Sequence, residues 1–111
     1  MKLTIICCIL FFLFVGASVV CGYNKNDFYK ALEMKKCRQC DLYRASFNGV
    51  DMSNADLSGS NLIGANFQNA TLFNVNLTDA NITGANFSGA LWIDGQICQS
   101  GSYGKCVKKM K

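Results

Sequence analysis

The sequence predicts an all-β fold: a small four-sided β-helix of about three coils, closed at its N-terminal end by a short helix. Three observations carry that expectation. A large apolar residue returns every five positions, a small residue stands two places before each, and the phenylalanines of the series fall 20 residues apart.

Cut into fives from Cys40, the chain places Leu42, Phe47, Met52, Leu57, Leu62, Phe67, Leu72, Leu77, Ile82, Phe87 and Trp92 at the central position. Half of the residues are hydrophobic, so chance would fill one such register on the order of once in 2,000 trials. Two places earlier stand Cys40, Ala45, Val50, Ala55, Ser60, Ala65, Ala70, Val75, Ala80, Ala85 and Ala90, all of them small. Between the two lies a short polar residue, except for Leu91 in the last quintet. Small, polar and large residues therefore alternate in, out, in, as in a short β segment.

The last place of each quintet is Gly, Asn or Asp, from Gly49 to Asp94, with Arg44 as the exception. These residues accept the positive φ of a tight corner. A segment and a corner every five residues match neither the helical period of about 3.6 nor the strand period of about 2. Four corners close one coil, and residues 20 apart then stack on one side. Phe47, Phe67 and Phe87 meet that test and, with Trp92, form the predicted core stack. The other columns are Leu42, Leu62 and Ile82; Met52, Leu72 and Trp92; and Leu57 and Leu77, which Ile97 is expected to continue. Stacking also pairs Asn61 with Asn81 and Asn66 with Asn86, where side-chain amide ladders are expected. The Asn-X-Ser/Thr triplets between Asn69 and Ser88 arise from the repeat itself.

Ala55-Asp56-Leu57-Ser58-Gly59 and Ala65-Asn66-Phe67 resemble the pattern of the pentapeptide-repeat family: small, Asn or Asp, Leu or Phe, then two variable positions. The resemblance covers residues 40 to 94 and implies a right-handed quadrilateral β-helix. It implies no particular activity, because the family shares a scaffold and not a function.

Four regions follow. Residues 1–22 read as a secretory signal: Lys2, an apolar run from Leu3 to Val15, then smaller residues through Gly22. Val20 and Gly22 favour cleavage before Tyr23; cleavage after Ala17, lipidation of Cys21 and an uncleaved anchor are the rivals. Residues 23–39 hold an amphipathic capping helix over Asn24 to Lys36, with Phe28, Ala31 and Leu32 on one side, an Asn24 or Asn26 N-cap, and a Cys-x-x-Cys pair. Residues 40–97 form the repeats, and residues 98–111 a basic tail. Fewer than 90 residues remain after the signal, a size that usually needs staples. The whole chain carries a formal charge of +4, concentrated at its ends, which serves solubility or attraction to anionic surfaces.

Four cysteines remain after the signal: Cys37, Cys40, Cys98 and Cys106. A disulfide needs Cα atoms about 4.4 to 6.8 Å apart, and the ends of so short a stack lie about 14 Å apart. Local pairing of Cys37 with Cys40 and of Cys98 with Cys106 is therefore expected, the second stapling the tail over the last coil. Short exported pentapeptide-repeat proteins with such a Cys-x-x-Cys pair, followed later by Trp-x-Asp-Gly and two cysteines, are similar to nearly all of the chain beyond the signal. Here these are Cys37-Arg38-Gln39-Cys40 and Trp92-Ile93-Asp94-Gly95 with Cys98 and Cys106. That likeness implies a periplasmic or secreted protein of a Gram-negative bacterium.

The chemistry is sparse. The chain has no His, and the Asp residues of the repeats scatter over different sides, so no catalytic residue, metal ligand set or cofactor is assigned. Cys37-x-x-Cys40 has the spacing of thiol oxidoreductases, but those place the thiol at a helix N-terminus, whereas this pair follows a helix. A zinc site of all four cysteines would require the two ends to meet. A DNA-mimicking topoisomerase binder, a role known in the family, requires a long acidic stripe that this short, basic-ended chain lacks. Tyr43 with Ile63, and Phe73 with Ile93, are outward apolar residues stacked 20 apart. They are candidate interfaces for a protein partner or a second copy. The expected function is thus an exported, non-enzymatic structural or protein-binding module that binds neither nucleic acid nor, once the signal is cleaved, a membrane. A periplasmic thiol-redox protein using Cys37 and Cys40 is the principal alternative.

Overall fold

The computed structural model describes residues 22–110. The expected signal, with Cys7, Cys8 and Cys21, lies outside them, apart from its last residue, Gly22.

Every parallel bridge joins residues 20 apart: Lys36 with Asp56, Asp41 with Asn61, Ser46 with Asn66, Asp51 with Thr71, and so on to Thr71 with Leu91. The coil therefore has four sides, which we number by their central residues. The first holds Leu42, Leu62 and Ile82; the second Phe47, Phe67 and Phe87; the third Met52, Leu72 and Trp92; the fourth Cys37, Leu57 and Leu77. Central residues are fully buried through most of the stack, whereas Leu77, Ile82 and Trp92, in its last turn, are half-buried.

From Leu42 to Ala90 each corner is a four-residue turn closed by a bond such as Ala45 N–H to Leu42 C=O at 3.0 Å, with its third residue at positive φ. The outward Asn or Asp explains its own presence. Its Oδ1 accepts the N–H two residues on, as Asn66 does from Gln68 at 2.9 Å and Asp56 from Ser58 at 3.0 Å. This local use replaces the expected ladders: Asn61–Asn81 and Asn66–Asn86 make no inter-coil amide bond among the described residues. The ladder forms instead between corner residues, where Asn74 Nδ2 donates to Asn54 Oδ1 at 2.8 Å.

The helix, α1, runs Lys25–Met34, shorter than expected at its C-terminal end. Asn24 caps it by accepting from the Asp27 N–H, and Lys35 ends it in the left-handed region at φ 54°. Lys36 then enters the coil, so bridging begins four residues ahead of Cys40. Phe28 and Ala31 are buried and Leu32 half-buried against the first coil. Phe28 also extends the aromatic stack. Ring centroids step from Tyr23 to Phe28 (4.8 Å), Phe47 (5.3 Å), Phe67 (5.0 Å), Phe87 (5.4 Å) and Trp92 (4.8 Å).

At the other end the chain reverses. The last corner places its positive φ on Gly95, not Asp94, and the following segment runs antiparallel over the third and second sides. Ile97 consequently pairs with Leu91 and is 51% exposed; it does not continue the Leu57–Leu77 column. The reason is the turn itself, closed by the Trp92 N–H to the Gln96 carbonyl at 2.7 Å, which sends the chain back before a further fourth side can form.

Candidate functional site

Disulfides join Cys37 to Cys40 and Cys98 to Cys106, with Cα atoms 5.5 and 5.0 Å apart. The first pair is enclosed: Cys37 is 0% and Cys40 3% exposed. Burial follows from register, since Cys37 fills a central position and Cys40 a small-residue position of the coil. Beneath them lies Ser60, also fully buried, whose hydroxyl donates to the Cys37 carbonyl at 2.7 Å and accepts the Cys40 N–H at 3.1 Å. Asp27 stands within 4.8 Å of both sulfurs, yet its carboxylate accepts the Asp41 N–H at 2.8 Å, and the sulfurs are bonded to each other. A thiol that exchanges disulfides needs a path for attack. The enclosed pair lends that reading no support.

The cysteine pairs lie at opposite ends of the coil, so the four do not converge. Cys98 is buried and Cys106 half-buried. Around them Ser102, fully buried, donates to the Gln99 carbonyl at 2.6 Å and accepts the Val107 N–H at 2.9 Å, folding the tail on itself.

The two outward apolar pairs differ. Tyr43 and Ile63 are half-buried; the backbone at Gly22 crowds Tyr43, and the Arg44 guanidinium lies 5.7 Å from its ring centroid. Phe73 and Ile93 are open, at 48% and 37% exposure, along the corner between the third and fourth sides. The structure thus separates a partly covered pair from a free one, a distinction invisible in their common spacing.

Sequence reasoning treated the basic residues before the repeats as a general charge and missed their arrangement. Lys30, Lys35, Lys36 and Arg38 border one groove of about 450 Å³ with Met34, Asn54 and Asp56. Lys35 Nζ reaches the Ser53 carbonyl at 3.5 Å, and Arg38 lies 3.9 Å from Asp56. The Ser58 hydroxyl, donating to Asp56, holds that carboxyl below its ordinary range, as the Ser53 hydroxyl does for Asp51. At the far end the Lys108 ammonium does the same for Asp94. Among the described residues no helix is long and apolar enough to cross a membrane.

Comparison with known proteins agrees with the five-residue register. The family model described as Pentapeptide repeats matches residues 36–59 and 51–89 in eight copies, starting where the bridging starts. No curated protein matches the chain. Among solved structures, it is similar to HetL, a pentapeptide repeat protein involved in heterocyst differentiation regulation from the cyanobacterium Nostoc. Identity is 33% over 50% of this chain and 29% of HetL, with a TM-score of 0.45. The chain therefore spans less than a third of HetL's length.

Proposed function

The chain is a pentapeptide-repeat protein, and from that premise we propose that it is an exported, non-enzymatic module that holds or binds another protein surface. A right-handed coil is part of this reading, because it is the hand that the family implies. The observation that carries the reading is the Phe73–Ile93 corner. Two large apolar side chains stay open to solvent on a coil whose backbone bonding fixes their separation. Such a stacked pair on a rigid scaffold suits protein contact better than turnover of a small molecule.

Export is supported by the apolar segment behind Lys2 and by two disulfides, which persist in oxidising compartments. A periplasmic or secreted location follows. Intact mass of the protein from its host, with and without thiol alkylation, tests this part: a mass starting at Tyr23 with no reactive thiol is expected. A retained leader with free thiols would overturn it. The binding part is tested with Phe73→Ser/Ile93→Ser, which is expected to abolish partner capture or self-association while leaving the melting curve nearly unchanged. Undiminished association in that variant removes the corner as the contact.

A further inference from the structure

The basic residues ahead of the repeats share one end of the molecule. Where α1 ends, the chain turns at Lys35 (φ 54°), bridges Asp56 through Lys36 and turns again at Gln39 (φ 54°). The Asp56 N–H to the Lys35 carbonyl at 2.9 Å, the Cys37 N–H to the Asp56 carbonyl at 2.7 Å and the Cys37–Cys40 disulfide tie that stretch to the coil. Lys35, Lys36 and Arg38 are thereby carried on fixed backbone, and with Lys30 of α1 they border the groove of about 450 Å³. Asp56 is the one carboxylate lining it, and it already faces Arg38. Lys30, Lys35 and Lys36 have no ion pair among the described residues, whereas at the far end Lys108 has Asp94. Beside these cations Met34 is 62% exposed, although Phe28 and Ala31 of the same helix are buried.

We infer that this N-terminal end docks on an anionic phospholipid bilayer, its cations meeting headgroup phosphates and Met34 entering the boundary of the acyl region. Three observations choose that occupant. Unpaired cations mixed with one exposed apolar side chain suit an interface that is anionic outside and apolar beneath. The apolar run from Leu3 to Val15 joins the described chain at Gly22, and Tyr23 packs on Phe28 at the start of α1. A ten-residue helix is about 15 Å long, so the expected leader and the groove share this end of the coil. A second copy stacked end to end is opposed, because the other end carries Lys105, Lys108 and Lys109. Membrane contact differs from the expectation drawn from the sequence, where the same residues counted only as a general charge. Docking by the end leaves the Phe73–Ile93 corner, on the flank of the coil, open to the protein partner proposed above.

The test is sedimentation of the protein isolated from its host with vesicles of phosphatidylglycerol and phosphatidylcholine in equal parts, and with vesicles of phosphatidylcholine alone. Binding is expected to the first only, and to weaken as salt is raised. Lys36→Gln/Arg38→Gln removes two exposed charges and is expected to weaken binding by about twentyfold or more, at about fivefold per charge. Lys105→Gln/Lys109→Gln removes the same charge from the other end of a coil about 14 Å long, beyond a screening length of about 10 Å, and should leave binding within about twofold. All four residues are exposed, so both variants should melt with the parent, which separates lost binding from lost folding. Equal binding to the two kinds of vesicle, or to neither, would overturn the proposal. Equal loss in the two variants would also overturn it, by assigning the attraction to net charge. Displacement by inorganic phosphate beyond that by chloride at matched ionic strength would replace the lipid surface with a phosphate pocket. Phe73→Ser/Ile93→Ser should bind vesicles as the parent does; loss there would move the lipid contact to the corner and overturn the assignment to this end.

Discussion

Ser60 shows how much one small residue can decide. Most repeats carry Ala at its position, and their turns close by a backbone bond; here the Cys37–Cys40 turn has no such closing bond, and the Ser60 hydroxyl serves both of its polar groups. Ser60→Ala leaves a buried N–H and C=O without that partner, and a loss of about 1 to 3 kcal/mol is expected in urea unfolding. A loss no larger than that of an exposed Ser→Ala change would show that the turn closes by itself. Corner glycines are likewise not equivalent. A Cβ on Gly89 meets the Asn69 Oδ1 reaching over it, whereas a Cβ on Gly84 meets nothing within 4 Å. Both have positive φ, near 70°, so each Ala variant costs about 1 kcal/mol for conformation. Gly89→Ala is expected to melt at the lower temperature, because only there must a neighbour also move.

The caps are the elements on which the stack depends. α1 adds Phe28 to the aromatic column and Asp27 to the first coil's free N–H, and the tail closes two of four sides at the other end. In the loop-entropy view the Cys98–Cys106 link, with eight residues of separation, contributes about 2 to 3 kcal/mol. Cys98→Ala/Cys106→Ala should therefore unfold at lower denaturant and expose amides of the last turn first in hydrogen exchange. Phe67→Ala empties the middle of the ring column and is expected to cost about 3 to 5 kcal/mol, more than any cap change. The amphipathic helix was legible from its apolar spacing. Its end was not, because Lys35 leaves the helix to let Lys36 bridge Asp56, a contact 20 residues away.

At the scale of the whole molecule, charge follows the ends. Folding lowers the pKa of Asp51 and Asp56 through the Ser53 and Ser58 hydroxyls, and that of Asp94 through Lys108. A carboxyl lowered on folding stabilises above its unfolded pKa, and that contribution disappears as pH falls through the folded value. Unfolding midpoints should thus be flat near neutrality and decline below about pH 4, modestly because all three groups are exposed. Asp94→Asn should flatten part of that decline, and the Asp94 share should weaken most with added salt, because its first cause is the Lys108 ammonium whereas Lys35 and Arg38 are the smallest causes at Asp51 and Asp56. A decline unchanged in Asp94→Asn would place its cause elsewhere.

The scaffold was legible because its determinants are local and repeated. A small residue, a polar residue and a large apolar one, followed by a corner former, set side, register and stacking at Phe47, Phe67 and Phe87 without reference to distant chain. The local pairing of Cys37 with Cys40 and of Cys98 with Cys106 was legible from the length of that stack. What tertiary structure alone decided is everything that ends the repetition. The sequence places Ile97 in a central column; a turn at Gly95 places it on the surface, where the returning chain meets the Trp92 N–H and the Ala90 carbonyl. Phe73–Ile93 and Tyr43–Ile63 share one spacing, and only the packing of Gly22 and Arg44 around Tyr43 leaves the first pair the freer.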